Sequence, residues 1–154
     1  MTIPTWDLRC SIAGNFASAE EAADKLAAVG LNSVPTWAKP YGVLSTGEQF
    51  RASLARSLGD GARIDEYTST VSRTVAKSAS RSLRAWVDRS DTTNLVLATC
   101  HYDVLDWLRP DWVINTDSGT FTAEDTDTVA EEHWWTRFTE PSPAGSISMS
   151  RSTG

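Results

Sequence analysis

Three short stretches carry residue types that act on phosphate. The first, Leu44-Ser45-Thr46-Gly47-Glu48-Gln49-Phe50-Arg51, sets a hydroxyl residue and a glycine where a helix should begin. Free backbone N–H groups and the helix dipole make such a start an anion site; Ser45 adds a hydroxyl donor and Gly47 permits close approach. The same residues spell an ordinary capping box, with Ser45 answered by Glu48 three positions on, and taken alone that role explains them better. The second stretch, Ile64-Asp65-Glu66, ends a short strand. Adjacent carboxylates there can divide labour, Asp65 holding Mg²⁺ through water and Glu66 activating an attacking water. A solvated strand end again suffices in isolation. The third, Thr99-Cys100-His101-Tyr102-Asp103, closes an apolar run, and residues just past the strand ends of an open α/β sheet face the ligand crevice. From there His101 can donate to a transferring phosphate. Cys100 and His101 do not make a thiol–imidazole pair, because neighbours in a strand point to opposite faces. A His101-x-Asp103 metal pair lacks a third ligand.

The elements that must position these residues follow from periodicity. Ser18 offers an N-cap with Glu21 three residues on, Ala22, Leu26 and Val29 continue at helical spacing, and Gly30 ends the helix. Pro35, Pro40 and Gly42 predict a loop. A helix from about Ser45 carries Phe50, Leu54 and Leu58 on one face and stops at Gly59-Asp60-Gly61. A strand is expected near 62–66. An amphipathic helix from Ser72 to about Asp88 follows, with Val75, Ala79 and Leu83 as its apolar line and Arg73, Lys77, Arg81 and Arg84 on another face. Leu95–Thr99 is expected to be a strand buried on both faces, Asp103–Leu108 a helical turn, and Asp111–Asn115 a strand in hairpin with Thr120–Thr122. Strands alternating with helices predict an α/β layered fold with a mainly parallel sheet.

Read in order, the series resembles the second half of an ABC-type ATPase nucleotide-binding domain, over roughly residues 16–122. Leu26-Ala-Ala-Val-Gly-Leu31 is similar to the end of the helical subdomain, Leu44-Ser-Thr-Gly-Glu-Gln49 to the ABC signature, Arg63-Ile-Asp-Glu66 to Walker B, and His101 to the switch histidine. Asp111-Trp-Val-Ile-Asn-Thr-Asp-Ser-Gly119 is similar to the closing strand and turn. Asp65-Glu-Tyr-Thr-Ser69 and Thr99-Cys-His-Tyr-Asp-Val104 resemble a narrower bacterial and phage group, some of whose members continue into an acetyltransferase-like domain. The resemblance implies a partial P-loop NTPase three-layer fold with part of the helical subdomain. It implies that Ser45, Gly47 and Gln49 meet the γ-phosphate of ATP held by an opposing subunit. By the same resemblance Asp65 supports Mg²⁺ through water, Glu66 polarises water, and His101 senses the γ-phosphate.

The resemblance stops short in several places. No Gly-x-x-x-x-Gly-Lys-Ser/Thr loop occurs, and none of the three lysines, Lys25, Lys39 and Lys77, follows a glycine. Without that Walker A cradle the chain alone is expected not to hydrolyse ATP; ATP and Mg²⁺ are expected only with a completing partner. That partner would be a second ABC-type subunit or an N-terminal half-protein carrying Walker A, and the preceding gene is the first place to seek it. Gly61-Ala-Arg-Ile before Asp65 is less apolar than the family's strand, and Ser72 stands where an aspartate is usual. The missing loop would also remove a strand expected between the Asp65 and His101 strands. Either a second polypeptide supplies it, or the two close up, or the fragment is poorly stable.

The net charge of −6 resides wholly in residues 117–140, which hold seven acids (Asp117, Glu124, Asp125, Asp127, Glu131, Glu132 and Glu140) against Arg137. We divide the chain into an irregular 1–16, the ATPase-like 17–122, an acidic Trp-containing extension 123–140 and a flexible tail or linker 141–154. Two further functions compete: a non-catalytic module, or the degraded remnant of an ATPase, that binds a protein through Trp134-Trp135 and the acidic segment, and nucleic-acid binding through Arg73, Lys77, Arg81 and Arg84. A neutral remainder argues against the second. Cys10 and Cys100 lie far apart, no apolar run reaches membrane-spanning length, and no basic-then-apolar leader is present. The expected location is therefore cytoplasmic.

Overall fold

Helix starts are written by hydroxyl caps, and three of them occur as the sequence predicts. In the computed structural model, which describes residues 4–123, helix α1 (Ala19–Ala28) is capped by Ser18, α3 (Thr46–Ser57) by Ser45, and α4 (Arg73–Val87) by Ser72, each side chain accepting from the backbone N–H three residues on. Gly30 ends α1 with φ +74°. Leu31 N–H donates to the Leu26 carbonyl and Gly30 N–H to that of Ala27, the paired bonds of a Schellman end. A methyl group on Gly30 would meet Ser82 Oγ at 3.1 Å, so both backbone angle and packing against α4 select glycine.

The loop expected around Pro35 and Pro40 instead contains a one-turn helix, α2 (Val34–Trp37), and a 3₁₀ turn at Tyr41–Val43. Pro35 sits in the first turn of α2, where its missing N–H leaves no intrahelical bond broken. A further short helix, α5 (Leu105–Leu108), follows a 3₁₀ turn at Tyr102–Val104.

Strands β1 (Arg63–Ile64) and β2 (Val96–Leu97) pair in parallel, Arg63 beside Val96 and Ile64 beside Leu97. Val96 N–H donates to Ala62 O, Ala98 N–H to Ile64 O, and Tyr67 N–H to Ala98 O, carrying the contact beyond both strand ends. The two strands have closed up. No strand lies between them, which is the closed-up alternative of the three expected. A second pair, β3 (Trp112–Asn115) and β4 (Thr120–Ala123), forms an antiparallel hairpin. The architecture is thus mixed helix and strand with two small sheets. No helix among the described residues is long and apolar enough to cross a membrane.

The chain divides into two units, Met1–Arg109 and Pro110–Gly154. In the first, α1 packs on α3 and α4, and Ile12, Leu26, Val29, Leu54, Tyr67, Leu83 and Val104 are fully buried. The buried stripe of α4 is Ala76, Ala79, Ser80, Leu83 and Trp86, which includes Ala79 and Leu83 as expected, whereas Val75 is only half-buried. Ser80 fits there because its hydroxyl bonds Tyr67 Oη at 2.9 Å. β2 is half-buried on both residues, not enclosed as expected. One face of β1–β2 opens onto a shallow hollow of about 180 Å³ lined by Arg63, Ile64, Asp65, Val96 and Ala98.

The indoles are held in several ways, and Trp6 Nε1 is buried without a hydrogen-bond partner. Trp37 Nε1 donates to Leu31 O at 2.6 Å and Trp86 Nε1 to Asp24 Oδ2 at 2.7 Å. Trp6 stacks on Tyr41 with centroids 4.6 Å apart, beneath the Arg56 guanidinium. In the second unit, Asn115 Oδ1 accepts from Asp117 N–H and Ser118 N–H to shape the hairpin turn. Trp134, Trp135, the extension from 124 and the tail lie outside the described residues.

Burial pushes the Tyr67 hydroxyl up from 10 to about 12. Because the folded value is the raised one, this stabilisation is whole below pH 10 and fades as pH climbs through 12. Between pH 10 and 12 the folded chain should lose roughly 2 kcal/mol through this group. Tyr67→Phe should abolish that slope in urea titrations, at a cost of about 1 kcal/mol at pH 7 for leaving Ser80 unpartnered.

Candidate functional site at one end of the parallel strand pair

Parallel pairing in this register brings Asp65 level with Ala98, so the chain leaves β1 at Asp65-Glu66 and β2 at Thr99–His101 on the same end of the sheet. The starts of α3 and α4 lie at that end too. A methyl group on Gly47 would lie 3.4 Å from Val75 in the first turn of α4, and the Phe50 ring is 6.1 Å from the Tyr67 ring, three residues past β1.

The turn after β1 is unusual. Glu66 has φ +52° and Thr68 φ +67°; Thr68 is β-branched and fully buried, and such residues rarely adopt that region. Asp65 Oδ1 accepts from Glu66 N–H at 2.9 Å, and Ser69 Oγ donates to Glu66 O at 2.9 Å and to Glu66 Oε2 at 3.2 Å. Both carboxylates are exposed.

The turn is tied to the chain leaving β2. Thr99 Oγ1 donates to Tyr67 O at 2.9 Å and accepts from His101 N–H at 3.2 Å. His101 is half-buried at the head of the 3₁₀ turn. Asp103 does not complete a metal pair with it, because the Asp103 carboxylate is held by Arg73. Among the described residues no three His, Cys, Asp or Glu side chains gather to hold a metal.

At the head of α3 the capping box is complete. Ser45 N–H and Ser45 Oγ both donate to Glu48 Oε2 at 2.8 Å, and Ser45 Oγ accepts from Glu48 N–H at 3.4 Å. The bond from Ser45 N–H, aided by the Ser45 hydroxyl, lowers the Glu48 pKa. Gln49 Nε2 is turned back onto Tyr41 O at 3.3 Å. Gly47 has no positive φ, and a methyl group there would make only ordinary contact. Neither backbone angle nor packing demands glycine at that point.

The basic face of α4 is largely compensated within the chain. Arg73 pairs with Asp103 and Arg84 with Asp88, while Lys77 Nζ lies 5.9 Å from the Trp107 ring centroid. Arg81 is exposed. Sequence reasoning missed the bond from Thr99 to the Tyr67 carbonyl and the pairing of Arg73 with Asp103. The sole signal for Arg73 was an arginine and an aspartate flanking two motifs that had to meet.

The chain matches no protein-family model and no curated protein.

Ser45→Ala removes the acceptor for Glu48 N–H and should lower stability by about 1 kcal/mol in denaturant titrations. Since the folded pKa of Glu48 is the depressed one, its contribution is present above the ordinary value of 4.5 and is lost as pH falls below it. Glu48→Ala should therefore flatten the acid limb of the stability curve.

Proposed function

We propose that residues 17–122 serve as the second half of an ABC-type ATPase domain, completed by a polypeptide that carries Walker A. The observation that carries this reading is that Asp65-Glu66 and His101 leave the same end of the β1–β2 pair; with the slot expected between the two strands closed, a completing strand would pair at an outer edge. The helix start at Ser45 lies at that end as well. In the completed assembly Asp65 supports Mg²⁺ through water, Glu66 polarises the attacking water, and His101 donates to the γ-phosphate. Ser45 and Gly47, with Gln49 behind them, meet the γ-phosphate of ATP held by the opposing subunit. For that Ser45 Oγ must release Glu48, so phosphate and carboxylate compete for one helix start. The glycine that the fold itself does not demand at position 47 is explained by close approach of a ligand.

A second reading draws on the hairpin. Trp112, Ile114 and Phe121 are 42%, 58% and 65% exposed, and the Trp112 and Phe121 rings lie 6.4 Å apart across the strands. A protein-binding module would use such a face, together with the acidic segment that follows it.

Mg-ATP titration of the isolated chain should show little or no binding. A Walker A-bearing partner should restore hydrolysis, and Glu66→Gln should reduce that hydrolysis at least about a hundredfold. Gly47→Ala should leave the chain folded, gaining about 0.5 kcal/mol, yet abolish hydrolysis in the mixture. Partner binding without hydrolysis, lost on Trp112→Ala, would instead select the protein-binding module.

A further inference from the structure

We propose that Arg73 is a positioning residue, holding the Glu66–Thr68 turn and the His101 turn in a single geometry; its purpose rests on the ATPase reading, its contacts do not. Arg73 is the first residue of α4, between the two turns. Its Nε donates to Asp103 Oδ2 at 2.8 Å and its Nη2 to Asp103 Oδ1. Its Nη1 reaches Thr68 Oγ1 at 3.5 Å, a longer bond than the first. The guanidinium carbon also lies 5.5 Å from the Trp107 ring centroid, which keeps the planar group from rotating away.

Each partner is local to one candidate loop. Thr68 is two residues past Glu66, within the turn that holds two left-handed residues. Asp103 is two residues past His101, inside the 3₁₀ turn that His101 caps. A single rigid fork thus fixes where the water-polarising carboxylate stands relative to the imidazole. The Thr99 side-chain hydroxyl, bonded to the Tyr67 carbonyl, joins the same two segments, so the guanidinium adds orientation at their far ends.

Stability alone does not account for the arrangement. The Arg73 and Asp103 side chains are 39% and 45% exposed, and ion pairs so open to water add little to folding. A bidentate fork does constrain direction, which a lysine ammonium cannot do. The α4 surface also presents Lys77 to the same indole, so the charge near Trp107 is retained in part when Arg73 is replaced.

The test uses the full chain and needs no nucleotide. Ring signals of His101 are identified by their loss in His101→Gln, since the chain has two histidines, and are followed by NMR together with amide exchange. In Arg73→Gln and in Asp103→Asn the His101 signals should move to a common new position. Amides of 66–69 and 101–104 should exchange about tenfold faster, while those of α1 and α3 stay unchanged. The double variant should go no further than either single one, and Arg73→Lys should fail to restore the wild-type spectrum. Unmoved His101 signals, full restoration by lysine, or equal loosening of α1 and α3 would each overturn the proposal. Failure of a Walker A partner to restore hydrolysis would sink the ATPase reading while leaving these spectra as described.

Discussion

Backbone pairing between β1 and β2 is the constraint on which the rest depends. Only two residues of each strand are formally paired, yet the hydrogen bonds on either side extend the register from Ala62 to Tyr67. Parallel pairing forces both chains to leave the sheet at one end. The helices cannot then be placed freely. α3 enters β1 through Gly59–Gly61 and α4 leaves it through the strained Glu66–Thr68 turn, so each begins near the strand ends. Tyr67 closes this junction, its amide on Ala98, its carbonyl on Thr99, its hydroxyl on Ser80 and its ring beside Phe50.

Much of this was legible because it is local. Ser18, Ser45 and Ser72 announce helix starts through a side chain that reaches three residues along the same chain, and Gly30 announces a stop through its own backbone angle. Such signals survive without knowledge of the partner. What the sequence hid are effects of the third dimension. Leu95–Thr99 looks like an enclosed strand, but enclosure depends on how many neighbours a strand has, and among the described residues β2 has one. The buried line of α4 runs through Ser80 and not Val75, because a hydroxyl becomes an acceptable core group once Tyr67 meets it. The 3₁₀ turn at Tyr41 and the helix at Val34 hid behind prolines that usually mark loops. For the site, the motif residues were found by type, but Arg73, Thr68 and Thr99 act by joining segments some 30 residues apart, which no spacing rule reveals.

The helix start at Ser45 shows why fold and ligand compete for the same groups. A capping box and an anion site both satisfy the free N–H groups of a first turn. Glu48 now occupies the Ser45 amide and hydroxyl, and its carboxylate would repel phosphate at short range. A ligand there would have to displace an internal carboxylate already in place. Ser72 caps α4 without an acidic residue in the first turn, and that helix begins with Arg73, so the two starts differ in sign of charge within one end of the unit.

The open face of the parallel pair completes the physical picture. All-parallel sheets occur almost only where both faces are covered, because each strand then buries apolar residues on two sides. Here one face rests on the core through Ile64, Leu95 and Leu97, while the other carries Arg63, Asp65, Val96 and Ala98 around a shallow hollow. Two of those residues are charged and two are small apolar groups, so the face is neither a packed interior nor a fully polar surface. The sheet has two strands among the described residues, so each strand has an edge without a strand neighbour. A polypeptide that supplied both a strand and a phosphate-binding loop would pair with such an edge and reach the end where Asp65, Glu66 and His101 leave the sheet. On the reading proposed above, one supplied segment would complete both the sheet and the phosphate site.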